Sequence, residues 1–161
     1  MPIKVGDRLP SAKVRITTPE GPAWKTTDEL FKGKKAVLFG VPGAFTGTCH
    51  KSHLPGFLQN ADAIRQKGID TIAVTAVNDH FVMDAWKDAS GAAGKIEFLA
   101  DGNGELAKAL DLTFDGSGNG LGTRSKRYCM VVDDGVVKSI SIEEAPGKVD
   151  LSSAENLLKA L

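Results

Sequence analysis

The chain has 161 residues, 20 basic and 20 acidic, a length that suits one domain spanning residues 1–161 with a full core. Zero formal charge argues against a nucleic-acid or anionic-membrane partner, which would require a basic patch. No apolar run approaches the ~20 residues that cross a bilayer, the N-terminus lacks a signal peptide's apolar segment, and two cysteines make no disulfide framework, so a reducing, cytoplasmic setting is expected.

In chain order, Val14–Thr17 reads as a short strand, closed by turn residues Pro19-Glu20-Gly21-Pro22. Thr27–Gly33 reads as a short helix, with Thr27 as its cap, acids in its first turn and Gly33 at its end. Ala36–Val41 is a short apolar run, expected as a buried strand. After the loop Pro42-Gly43-Ala44-Phe45-Thr46-Gly47-Thr48-Cys49, apolar residues at helical spacing (Leu54, Phe57, Leu58, Ala61, Ile64) predict a helix over 51–67. Asp70–Val77 is a second strand, continuous in the way of parallel strands. Asn78 or Asp79 then caps a helix through Ser90 that turns Phe81, Val82, Ala85 and Trp86 inward. Ile96–Ala100 is a third strand, and a helix follows over 105–110. Thr113–Gly122 is expected as a long glycine-rich loop. Arg127–Asp133 and Val136–Ile142 form a hairpin about Asp134-Gly135, and Ala154–Leu161 is a final helix. This alternation predicts an α/β fold, a central mixed β-sheet flanked by helices.

Cys49 falls where a strand stops and a helix begins. The unpaired N–H groups and the dipole of that helix end favour a thiolate over a thiol. A cysteine at this place is the thioredoxin-like arrangement, but the usual Cys-x-x-Cys is Thr46-Gly47-Thr48-Cys49 here. A dithiol mechanism at this spot is therefore excluded, and one activated thiol remains, with a hydroxyl three residues upstream. His50 and His53 follow, and His53 shares a helix face with Cys49. A zinc site needs three or four ligands, and the remaining histidine is His80, so no metal is expected. Gly116–Gly120 lacks the Lys-Ser/Thr of a phosphate loop, and no cofactor is expected.

Pro42-x-x-x-Thr46-x-x-Cys49, with Phe39–Thr46 around it and His53-Leu54-Pro55-Gly56-Phe57 after it, resembles the peroxiredoxins, and among them the peroxiredoxin-5 (type II) subfamily. The resemblance extends through Val5-Gly6-Asp7, Val77-Asn78-Asp79, Leu99-Ala100-Asp101 and Arg124–Tyr128. It implies a thioredoxin-like fold and a thiol peroxidase acting on hydrogen peroxide and alkyl hydroperoxides. By the resemblance, Cys49 is the nucleophile that becomes a sulfenic acid, Thr46 touches sulfur and peroxide, and Pro42 shields the thiolate. Arg127 is the charge partner, with Arg124 the second candidate. Gly47 and Thr48 offer backbone N–H groups beside the thiol, His53 orders the site, and Phe45, Phe81 and the 113–122 loop pack a homodimer. Cys129 lies in an apolar strand, where buried cysteines are inert packing, yet it shares a strand side with Arg127. No cysteine follows it, so glutathione with glutaredoxin, or thioredoxin, is expected to regenerate Cys49. Two other classes compete: a Cys/His metal-binding or redox-sensing module on the same scaffold, and a binding domain in which Cys49 is incidental.

Overall fold

The computed structural model describes residues 2–145 and 149–161. Seven strands form one mixed sheet in the order β2-β1-β5-β4-β3-β8-β9. They are β1 (Lys13–Thr18), β2 (Gly21–Thr26), β3 (Lys35–Gly40), β4 (Thr71–Ala76), β5 (Glu97–Ala100), β8 (Tyr128–Asp133) and β9 (Val136–Ile142). β3, β4 and β5 run parallel, and β1, β2, β8 and β9 close the two sides antiparallel. The helices are α1 (Thr27–Phe31), α2 (Leu54–Gln66), α3 (His80–Ser90), α4 (Glu105–Ala109) and α5 (Ala154–Ala160). This is the expected thioredoxin-like α/β fold.

β3 shows why the sheet is covered on both sides. Its residues alternate: Val37 and Phe39 enter a core with Phe57 and Ile64 of α2, while Ala36 and Leu38 enter a second core with Phe31 and Leu106. Period-two alternation with both faces apolar requires a layer on each side.

The structure corrects several expectations. Pro19–Pro22 is not all turn: Gly21 and Pro22 already belong to β2, an edge strand paired to β1 along its whole length. An edge tolerates Pro22, because its missing N–H can face away from the ladder. Thr26, not Thr27, caps α1, exchanging hydrogen bonds with Glu29 in a capping box. Thr27 is buried instead and its hydroxyl donates to the Pro10 carbonyl at 2.7 Å. On α3, Met83 and Trp86 are buried, three residues apart, whereas Phe81 and Ala85 lie on the opposite stripe and are exposed. The 113–122 stretch is not one loop. It holds β6 (Thr113–Asp115) and a short 3-10 turn (Ser117–Asn119), and β6 pairs with β7 (Thr123–Ser125) in a separate small sheet.

The predicted helix over 51–67 also starts differently. Residues Cys49–His53 form a π-helical turn, in which the Leu54 N–H donates to the Cys49 carbonyl, and the α-helix follows from Leu54. Pro55 supplies the cause. It has no N–H for the Lys51 carbonyl, and its ring would collide with that carbonyl in a regular α-helix. Widening the turn by one residue removes the collision.

Candidate active site

The site lies beyond the carboxyl end of β3, where α/β sheets bind their ligands. Register brings its distant parts together. In the antiparallel β3–β8 pair, Gly40 faces Tyr128, so Arg127 sits directly beside the chain leaving β3. A Cβ on Gly40 would come within 2.2 Å of the Tyr128 ring, so only glycine allows this close pairing.

From Val41 onward the chain is held on three sides. The Val41 N–H donates to the Thr75 carbonyl at 3.0 Å, and the Ala44 N–H to Asn78 Oδ1 at 2.9 Å. Asp79 caps α3, accepting from the Val82 N–H, which leaves Asn78 for this second task. Arg124 donates from Nη1 to the Pro42 carbonyl at 3.1 Å and from Nε to the Leu121 carbonyl at 3.0 Å. Arg124 thus braces the proline loop. Pro42 is buried, and Phe45 is half exposed, with a positive φ of 61° and its ring 5.4 Å from that of His50. A non-glycine residue in that region is strained and needs its surroundings to hold it.

Cys49 is 1% exposed. Thr46 Oγ1 lies 3.2 Å from its sulfur and 2.7 Å from the Gly43 carbonyl. Arg127, also buried, donates from Nη2 to Cys49 Sγ at 2.8 Å. Its Nη1 lies 2.8 Å from His53 Nδ1. The π-helical turn stacks His53 above Cys49, so one guanidinium fork reaches both. Gly47 and Thr48 precede the thiol in the same turn, Gly47 with a φ of 21°.

The protonation of His53 follows from its partners. Nε2 lies 2.9 Å from the Ser152 carbonyl, which can only accept, so Nε2 carries the hydrogen. Nδ1 must then accept from Arg127. Burial among Phe39 and Phe57, 5.0 and 5.5 Å away by ring centroid, and then the Arg127 charge push His53 down from 6.5 to about 3. The imidazole is therefore neutral at working pH, the form that accepts from a guanidinium. A stability consequence follows. Between pH 6.5 and about 3 the unfolded chain protonates His53 while the folded chain does not. Its contribution is complete above pH 6.5 and is lost as pH falls toward 3, by up to about 1.4 kcal/mol per pH unit. Thermal melts at pH 7 and pH 5 should show a drop in wild type that His53→Gln lessens; equal drops would assign it to other groups.

The Ser152 carbonyl that His53 donates to was not legible beforehand: neither Ser152 nor Glu143, which accepts from Ser152, carries a motif, and only the fold brings them near. Both His53 nitrogens are engaged, and His50 Nδ1 accepts from Trp86 Nε1–H at 3.0 Å. The Cys49–His53 pair is thus not the start of a zinc site, and among the described residues no three His, Cys, Asp or Glu side chains converge. Cys129 faces the same core as Cys49, as its position two residues after Arg127 implied. It sits in an interior strand, opposite Phe39 and Ser141, and burial pushes its thiol far up.

A buried thiol in contact with a guanidinium and a hydroxyl, at the helix start of a thioredoxin-like sheet, is the arrangement of a thiol-dependent enzyme. A family model described as Redoxin matches residues 4–158. "Peroxiredoxin-2E-2, chloroplastic" of Oryza sativa subsp. japonica is 49% identical, over 99% of this chain and 72% of its own length. Reduced Prx3 of Vibrio vulnificus, solved in complex with H2O2, superposes with a TM-score of 0.93 at 47% identity, over 98% of each chain. Peroxiredoxin 5 of Alvinella pompejana gives a TM-score of 0.86 at 36% identity, over 99% of this chain and 97% of its own. The chain belongs to the Redoxin family and, within it, to the peroxiredoxins, consistent with the type II subfamily. Its activity is that of a thiol-dependent peroxidase, and neither the metal module nor the incidental-cysteine reading is favoured.

Proposed function

We propose that residues 1–161 act as one domain that reduces hydrogen peroxide and small alkyl hydroperoxides by a one-cysteine cycle. The observation that carries the reading is the 2.8 Å contact from Arg127 to Cys49 Sγ. Guanidinium stays charged at any working pH, so it stabilises the thiolate and faces the oxygens of an incoming peroxide. The Cys49 thiolate attacks one peroxide oxygen, the O–O bond breaks, and the other oxygen leaves as hydroxide or alkoxide, protonated to water or alcohol. Sulfur is oxidised by two electrons to a sulfenic acid. Thr46 has one hydrogen, within reach of both the Gly43 carbonyl and the sulfur, and lone pairs that can accept from a peroxide O–H. Burial of Cys49 admits the small hydroperoxide end of a substrate.

Regeneration is assigned to an external thiol. Cys129 is held within the sheet and its thiol is kept protonated by burial, so it is a poor resolving nucleophile. Glutathione with glutaredoxin, or thioredoxin, would supply the electrons. Peroxide consumption assayed with each reductant separately tests this, and no turnover with any of them would overturn it. Peroxide added without a thiol should carry Cys49 up to sulfinic acid. Intact mass should then show added oxygens on the monomer, mapped to Cys49. Rapid loss of two hydrogens, with a Cys49–Cys129 disulfide on mapping, would overturn the one-cysteine cycle.

Phe81 and Phe45 are 74% and 46% exposed near the site, which supports a homodimer through this face. Sedimentation of Phe81→Glu against wild type tests it. Among the described residues no helix is long and apolar enough to cross a membrane. A cytoplasmic location fits two free thiols; the rice relative is named as chloroplastic, and cell fractionation decides.

A further inference from the structure

Arg127 belongs to a closed ring of hydrogen bonds that returns to its own backbone. Its Nη1–H donates to His53 Nδ1, and His53 Nε2–H donates to the Ser152 carbonyl. The Ser152 N–H and Oγ–H donate to Glu143 Oε2 at 2.7 and 2.6 Å. The Glu143 N–H donates to the Arg127 carbonyl at 2.9 Å. β9 explains the last link: Ile142 pairs with Tyr128, so the residue after β9 lies opposite the residue before β8.

Ser152 is the vulnerable member. It is fully buried but lies in the irregular chain before α5, where no ladder fixes it. Glu143 Oε2 fixes it, also taking the Asp150 N–H at 2.8 Å. Glu143 is itself buried, 6% exposed. Burial raises its carboxyl pKa, but hydrogen bonds from the Ser152 side chain and from the backbone of Ser152, Leu151 and Asp150 outweigh this and hold it low. On one flank lies a cavity of about 210 Å³ bounded by Phe114, Lys126, Arg127 and Glu143.

We propose that Glu143 is a positioning residue for peroxide reduction, acting on Cys49 through Ser152, His53 and Arg127. The carboxylate places the Ser152 carbonyl, and that carbonyl sets the His53 tautomer. The tautomer keeps Nδ1 an acceptor, and this acceptor aims the guanidinium fork at sulfur. Preorganisation of a working side chain depends on such support. The inference rests on the proposed roles of Cys49 and Arg127.

The test is a double-mutant cycle on the rate of Cys49 oxidation by hydrogen peroxide. Glu143→Ala should slow wild type about tenfold, the lower end of what outer hydrogen-bond partners of histidine contribute in metal sites. Glu143→Gln keeps an acceptor oxygen and should restore most of the rate. In an Arg127→Ala background, Glu143→Ala should change the rate less than about twofold, because residues acting through one another are not additive. Equal factors in both backgrounds, or no loss in wild type, would overturn the proposal. If Glu143→Ala does not fold, Ser152→Ala removes one donor and carries the same cycle with a loss of about threefold. Wild type that is not oxidised at Cys49, or Arg127→Ala as fast as wild type, would instead overturn the site roles beneath it.

Discussion

Cys49→Ser should abolish peroxide turnover, by roughly a millionfold, the scale on which deletion of a covalent nucleophile is felt. A hydroxyl in the same place remains protonated near neutral pH and is a far poorer nucleophile. The fold should survive, because serine keeps the shape of cysteine with a smaller terminal atom and its hydroxyl can still hydrogen-bond to Arg127. Cys129→Ser is the control. Its thiol lies in a buried strand apart from the arginine fork, so turnover should stay within about twofold. Peroxide consumption with excess reductant reads both. Similar losses from the two variants would mean that both sulfurs work in each cycle.

Arg127→Ala should slow Cys49 oxidation about 10²–10³-fold, or about 2.7–4 kcal/mol of transition-state stabilisation, as for other preorganised donors to developing charge. Two effects combine. The sulfur loses its charged donor at 2.8 Å, and His53 Nδ1 loses its partner inside the core. The second effect also costs stability, about 1–3 kcal/mol for a buried unsatisfied acceptor. Rate and melting temperature must therefore both be measured. Arg127→Lys should recover only part of the rate, since an ammonium cannot reach sulfur and imidazole with one planar fork. Arg124→Ala should cost less than Arg127→Ala, because Arg124 holds the Pro42 carbonyl rather than the sulfur. If Arg124→Ala proved the slower enzyme, the two arginines would have to exchange roles.

The readable parts of this molecule are those with local causes. β3 and β4 are short apolar runs, the Asp134-Gly135 turn demands positive φ at both residues and has it, at 48° and 81°, and the spacing Thr46-x-x-Cys49 puts hydroxyl and thiol within one turn. Other features depended on partners remote in the chain. β2 carries Pro22 and alternates weakly, and only its pairing with β1 makes it a strand. β6 and β7 are three residues each, too short for a periodic signal. Phe81 looked like core because a phenyl ring carries no sign of which helix stripe will meet the sheet. Pro55 was a local signal for an irregular turn, yet the apolar spacing around it masked its effect.

The site divides along the same line. By itself the sequence singled out the proposed nucleophile, its neighbouring hydroxyl and the proline loop, because residues within one turn of each other have no choice but to meet. The resemblance ranked Arg127 above Arg124, but only the tertiary structure gives the physical reason, since 78 residues separate Arg127 from Cys49 and the β3–β8 register brings them together. It also decided the charge state of His53, because burial and a carbonyl 99 residues away act through distance in space, which no spacing along the chain records.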